Sequence, residues 1–259
     1  MFELPSLPQE MGEIVIQGLR LARLLYRRLL NLTTIIAFLG LVPTVAQVWG
    51  KGDEVSFDMP SFTDWNAFSD WFRQFYGSYG ITLLIIGALT LFPQIVLLRR
   101  IAAAVRGTKE TRGEEMRQAL RLWPWALLTA AMYLLVVALG LVVLVPGVIL
   151  GISLMFSFYA VVLDGSRPLP ALNASHNLVW GHWWRTLGLV FLFYVAFALL
   201  GMLLSSVFGL GLDAGQTVHA RDLFKAAVLD MVLVAFLSPF VFCIQFLYYR
   251  DLKLRKQTA

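Results

Sequence analysis

The sequence predicts an all-α fold, a polytopic membrane protein of six transmembrane helices with amphipathic helices at the interface. Three observations predict it. Hydrophobic residues make up 59% of the 259-residue chain and charged residues only 14%, well under the roughly 25% of soluble domains, and mean hydropathy is +0.73. The apolar residues fall in runs of spanning length. The basic residues collect on alternate connections between those runs. A soluble domain of this length could not cover its surface with so few polar groups, so lipid is the solvent for much of the chain. The runs do not alternate polar with apolar, which argues against a β-barrel. Backbone at membrane depth must satisfy its own hydrogen bonds, which leaves helices.

A span takes about 20 apolar residues at roughly 1.5 Å rise each. The first covers about residues 29–49. About 28 residues precede it and the run is long enough to cross, so it reads as a retained helix and not as a cleavable signal with its short apolar core. The outer loop over residues 50–74 mixes Asp53, Glu54, Asp58, Asp64 and Asp70 with aromatics. In it Trp65, Phe68, Phe72 and Phe75 recur at helical spacing behind Ser61 or Thr63 as a cap. The segment is expected as an amphipathic helix on the outer leaflet or as a lid over the outer ends of the spans. The second span covers about 75–98. Residues 122–163 then carry no charge at all, and as one helix they would extend about 63 Å, twice a bilayer core. The run must turn, and Val145-Pro146-Gly147 supplies the corner because proline and glycine break helices. Spans three and four are then 122–144 and 147–163. The fifth covers about 184–210 and the sixth about 231–249. The whole chain, 1–259, reads as one integral membrane domain.

Orientation follows from Lys and Arg. With both termini inside, the inside segments hold 17 of the 21 basic residues while the acids divide evenly, giving +9 inside and −4 outside. The expected location is a bacterial inner (plasma) membrane with N- and C-termini in the cytoplasm. Three inner segments are basic amphipathic stretches that run into a span. The first sets Ile14, Leu21, Leu24 and Leu25 against Arg20, Arg23, Arg27 and Arg28. The second sets Met116, Leu120 and Trp123 against Arg117 and Arg121. The third runs Leu172, Leu178 and Val179 with Asn173, His176 and Asn177 toward Trp183-Trp184-Arg185. This pattern suggests an inner helix plus a hairpin, repeated three times. Arginines so placed would sit at anionic headgroups, each contributing roughly 1 kcal/mol.

The stretch from Pro146 to Leu189 reads PGVILGISLMFSFYAVVLDGSRPLPALNASHNLVWGHWWRTLGL. It has a Pro-Gly turn, a span ending in an acidic-glycine loop, then Ala171-Leu172, Ser175 two positions after Asn173, Leu178-Val179 before Gly181, and Trp183-Trp184-Arg185 opening the next span. That order resembles the YciC-like bacterial inner-membrane proteins and the related membrane domain found fused to some glycerophosphodiester phosphodiesterases. The resemblance implies a six-helix bundle in the inner membrane and brings no established chemistry to any residue. A phosphodiesterase domain is not expected, since the chain has no room for one and lacks its acidic metal-binding clusters.

Ionisable groups at membrane depth are costly and usually mark function. Here Asp164 and Asp230 stand near span ends, Asp164 as an interfacial or capping residue or as a partner of Arg167 or Arg185. His176 and His182 are six apart and do not match the i, i+4 spacing of a helical metal pair. The single cysteine, Cys243, excludes an intramolecular disulfide and a Cys-rich metal site. No phosphate loop and no serine with a base is present, so no catalytic residue, cofactor or metal is expected. Pro43, Pro93 and Pro239 fall within or near spans. Pro93-Gln94, and Ser238-Pro239 with Gln245, could free carbonyls toward a cavity as in transporters, or form kinks satisfied by neighbouring Ser or Thr. Gly147 and Gly151 have the spacing of close helix packing. The candidate ligand or lipid contacts are Gln94, Asp164, Asn173, His176, Trp183, Trp184, Arg185 and Gln245. The expected function is non-enzymatic, in envelope or lipid homeostasis, through binding of membrane lipids by their anionic headgroups or of a membrane-protein partner or second copy, with no nucleic acid. The alternative is a transporter or channel for a lipidic or weakly polar solute. The orientation predicts that a reporter active only in the periplasm stays silent when fused after Lys256; activity there would reverse the topology.

Overall fold

The computed structural model describes residues 5, 7–49, 54–55, 65–108, 111–208 and 218–258. The helices are α1 (Met11–Trp49), α2 (Trp65–Arg106), α3 (Arg112–Leu141), α4 (Val145–Leu154), α5 (Ser157–Asp164), α6 (Pro168–Val179), α7 (Trp183–Val207) and α8 (Ala220–Thr258). Glu54–Val55 and Val218–His219 form a two-residue antiparallel ladder, β1 with β2. Among the described residues six helical segments are long and apolar enough to cross a membrane: Met11–Val45, Gly80–Arg106, Arg112–Leu141, Val145–Asp164, Trp183–Val207 and Arg221–Thr258. The chain is a multi-pass membrane protein.

The helices run well past the apolar stretches. α1 and α8 have 39 residues each and α2 has 42, and a helix of that length extends about 60 Å. The amphipathic segments expected before spans one, two and three are therefore the first turns of α1, α2 and α3, not separate helices. Residues 65–74 belong to α2 itself. Ser61 and Thr63, expected as its cap, lie outside the described residues, as do the side chains of Trp65, Phe68, Phe72 and Phe75. Pro43, Pro93 and Pro239 each sit inside a helix that continues through them. The start of α3 is fixed by a capping box. Glu114 N–H donates to Thr111 Oγ1 at 3.4 Å, and Thr111 N–H donates to Glu114 Oε2 at 2.9 Å.

The corner in the long apolar run lies slightly before the expected place. α3 ends at Leu141, and Leu144 turns the chain with φ 59° while Val145 N–H donates to Val143 O at 2.7 Å. Pro146 stands in the first turn of α4, where its missing N–H leaves no carbonyl unmet. Gly147 is needed for proximity: a Cβ there would fall 2.5 Å from Leu141 N.

The fourth span is discontinuous. α4 stops at Leu154 and α5 resumes at Ser157, with neither proline nor glycine in the gap. Buried Ser175, from α6, stitches the gap by donating to Ser153 O at 2.9 Å and accepting from Phe156 N–H at 3.1 Å. A backbone group left unmet at this depth costs several kcal/mol. α5 ends on left-handed Gly165, φ 67°, where Gly165 N–H returns to Val161 O and Ser166 N–H to Ala160 O. α6 then buries Ala171, Leu172, Ser175, Leu178 and Val179 and leaves Asn173 and Asn177 exposed, the amphipathic pattern the sequence predicts.

The chain divides into two compact units, one of Met1–Thr33, Leu91–Val195 and Leu237–Ala259, the other of Thr34–Thr90 and Ala196–Phe236. The first holds α3 to α6 and most of the buried apolar side chains, among them Leu21, Ile95, Leu98, Phe156 and Leu252. Within it α1 and α8 touch backbone to backbone, because a Cβ on Gly18 would lie 2.8 Å from Ile244 Cα. The second unit holds the ladder and exposes Ile81, Leu84, Leu203 and Phe236, a surface suited to lipid. Gly18→Leu should lower the melting midpoint in detergent, since such overpacking costs about 1–3 kcal/mol. Gly12→Ala, with open space around it, should melt no lower than wild type. Equal melting of Gly18→Leu and wild type would refute the close approach.

Candidate functional site

The polar groups of the first unit gather around two carboxylates. Asp251, on the last turns of α8, is only 4% exposed. Gln9 N–H donates to its Oδ1 at 2.7 Å, and Arg255 Nε donates to its Oδ2 at 2.8 Å. The Arg185 guanidinium stands 3.4 Å from the same oxygen. Both arginines also donate to Gln9 O, Arg255 at 2.6 Å. The backbone N–H and C=O of one residue of the N-terminal segment thus bridge a carboxylate and two guanidiniums that belong to α7 and α8. The cluster rests on Tyr248: Arg185 lies over its ring at 5.9 Å, and Thr186 and Tyr248 share a hydroxyl bond of 2.9 Å.

Asp164, at the end of α5, is the second carboxylate. Its Oδ2 accepts from Tyr249 Oη and from Lys253 Nζ, both at 2.6 Å, and Lys253 lies 4.9 Å from the Tyr249 ring centroid. These are its partners, in place of the expected Arg167 or Arg185. A turn away, Tyr159 Oη donates to Gln245 Oε1 at 2.8 Å. The two pairs pin α5 to α8. Cys243 is buried in the same helix as a free thiol.

The other predicted residues do not converge on these groups. Gln94 is half-buried in α2. Asn173 accepts from Asn177 Nδ2 at 3.1 Å on the exposed face of α6. His176 stacks on Trp180 with ring centroids 5.0 Å apart. Trp183 reaches Ile149 O through Nε1 and packs edge-on against Trp184, which is 78% exposed. Asp230 is exposed on α8. Gln94, Asn173, His176, Asp164 and Gln245, which a solute pathway would have brought together, are dispersed over separate surfaces and bonds. Among the described residues no three His, Cys, Asp or Glu side chains are arranged to hold a metal.

Among the clefts lined by described residues of this unit, four concern the polar groups and tryptophans above. An apolar one of about 600 Å³ is lined by Trp180, Trp183, Trp184, Val148 and Ile149. A basic one of about 560 Å³ is lined by Arg99, Arg121, Arg167 and Trp125. Another, of about 540 Å³, lies between α1, α2 and α3 and includes Arg27, Arg28, Arg100, Arg112 and Glu115. There Arg100 pairs with Glu115 at 2.8 Å and also donates to Arg28 O. The smallest, about 280 Å³, runs beside Asp164, Arg106, Arg250 and Lys253.

A protein-family model matches residues 75–252, well over half of the chain. The chain belongs to the DUF7847 family. That family is described as a domain of unknown function. The DUF7847 region includes both carboxylates, Arg185 and all of α3 to α7; Gln9 and Arg255 fall outside it. Comparison with curated proteins and with solved structures gave no match.

Asp251 was missed from the sequence because it lies in a charged tail. The available signal was its i, i+4 spacing to Arg255 between apolar Leu247 and Leu252. Removing it strands two partly buried guanidiniums, a change that typically costs about 3–5 kcal/mol. Asp251→Ala should therefore melt well below wild type and should lose amide protection over residues 7–14. Wild-type melting with unchanged protection would show that the cluster does not hold the N-terminal segment.

Proposed function

We propose that this protein is a non-enzymatic membrane protein that binds anionic lipid headgroups on the basic face bearing its two termini, and that it serves envelope or lipid homeostasis in a bacterial inner membrane. In this reading both termini face the cytoplasm, and the kinship with YciC-like proteins drawn from residues 146–189 belongs to the same proposal. One observation carries it: four acids of that face are held by internal partners while six of its arginines stand exposed. Asp251, Asp164 and Glu115 are each held in ion pairs and Glu114 in a helix cap. Arg20, Arg23, Arg27, Arg28, Arg106 and Arg117 remain exposed. An excess of guanidinium at the edge of a bilayer attracts anionic headgroups, each charge contributing roughly 1 kcal/mol within a Debye length. Guanidinium also matches phosphate geometry with paired donors.

The test is lipid retention by the purified full chain in mild detergent. Replacing Arg20, Arg23, Arg27 and Arg28 together by Glu should cut co-purified phosphatidylglycerol several-fold while leaving phosphatidylethanolamine little changed. Equal retention of both lipids by wild type and variant would reject the proposal.

A further inference from the structure

We infer that the cleft between the end of α2, the first turns of α3 and the α5–α6 loop is a stoichiometric binding site for the phosphate of a membrane lipid, whose acyl chains lie along one face of α3. The inference rests on the lipid-binding reading above and sharpens it from a charged face to a single site. Three cations enter the cleft from three separate elements: Arg99 from α2, Arg121 from α3 and Arg167 from the cap of α6. Among the described residues that line it there is no carboxylate, and Arg121 and Arg167 both stand exposed. Gln118 and Ser166 add neutral polar groups. The Arg167 guanidinium is held over the Trp125 ring at 5.9 Å, an arrangement that places a cation without consuming its hydrogen-bond donors.

The ligand class follows from what this wall can offer. The start of α6 faces the cleft, and a helix N-terminus favours anions. Pro168 and Pro170 have no N–H, however, so the backbone supplies few donors and the guanidiniums must provide the hydrogen bonds. Guanidiniums from different elements suit a tetrahedral oxyanion with several acceptor oxygens. At about 560 Å³ the cleft admits an esterified phosphate with its headgroup.

The apolar part of the ligand is indicated by α3. Trp125, Leu128, Leu135 and Leu139 are exposed, and at 100° per residue they share one narrow face with Arg121 at its head. A cation heading an exposed apolar stripe in a membrane-spanning helix complements an anionic lipid along its length. Free phosphate would use the head of this arrangement and none of the stripe.

The experiment is native mass spectrometry and thermal-shift titration of the full chain, using dioleoyl phosphatidic acid, dioleoylglycerol and inorganic phosphate as probes. Wild type should bind one phosphatidic acid per chain and be stabilised by it. Dioleoylglycerol, with the same tails and no phosphate, should bind at least tenfold more weakly. Arg121→Gln with Arg167→Gln should weaken the one-to-one complex about a hundredfold, near tenfold for each charge-assisted hydrogen bond removed. Both side chains are exposed, and unchanged melting of the lipid-free variant will show that it is folded; Arg121→Lys, which keeps the charge and loses the paired donors, gives a second reading with an intermediate loss. The Arg20, Arg23, Arg27 and Arg28 to Glu variant should keep the one-to-one complex and lose only bulk retention. An unaltered complex in the double variant would overturn the site while leaving the charged-face proposal intact. Loss of bulk retention failing as well would overturn both. Stabilisation by inorganic phosphate equal to that by phosphatidic acid would overturn the lipid assignment.

Discussion

The buried carboxylate of Asp251 is the constraint on which the first unit depends. A lone carboxylate in so apolar a setting would be strongly unfavourable, and it is tolerated because three groups meet it, two of them from distant parts of the chain. Gln9 brings the N-terminal segment, Arg185 the start of α7 and Arg255 the end of α8. The requirement is mutual, since the two guanidiniums also need an anion. Apolar packing alone does not select one register between long helices, whereas this cluster is satisfied in only one. The Asp164–Tyr249 and Tyr159–Gln245 bonds extend the same logic two and six residues back along α8, joining it to α5. Conformational specificity is thus concentrated at one end of α8, and the close approach at Gly18 and Ile244 brings α1 against the same helix.

The discontinuity in the fourth span follows from a similar accounting. Breaking a helix between Leu154 and Ser157 frees backbone donors and acceptors where no water can meet them. Ser175 meets two of them, which ties α6 to the break and gives that short helix its place. Because α6 is fixed there, its cap residue Arg167 is carried to the wall that also holds Arg99 and Arg121. The cationic cleft is therefore a product of the fold and not of local sequence, since its three arginines are distributed over residues 99 to 167.

That separation explains what could be read from the sequence. The six spans were legible because a run of apolar residues is a local signal that lipid makes obligatory. The turn near Pro146 was legible to within a few residues; proline fixed where α4 begins, while the turn itself falls to Leu144. The capping box of Thr111 and Glu114 was also available in the sequence. The break at Met155 and Phe156 left no trace except the serines on either side, because its cause lies 19 residues away in Ser175. Of the site residues, Asp164, Arg185 and Gln245 do make specific polar bonds, but their partners Tyr249, Gln9 and Tyr159 were invisible at separations of 85, 176 and 86 residues. Asn173 and His176, candidate contacts by residue type, lie on and beside the exposed face of α6.

In the proposed reading, function belongs to the basic end of the first unit, with the remaining helices as its scaffold. Hydrogen–deuterium exchange of the full chain in nanodiscs tests this most directly, comparing zwitterionic lipid with lipid containing an anionic fraction. Added protection is predicted at residues 112–125 and 165–169 with anionic lipid, and no change at residues 220–236. Protection that is the same in both lipids, or that rises at residues 220–236 instead, would contradict it.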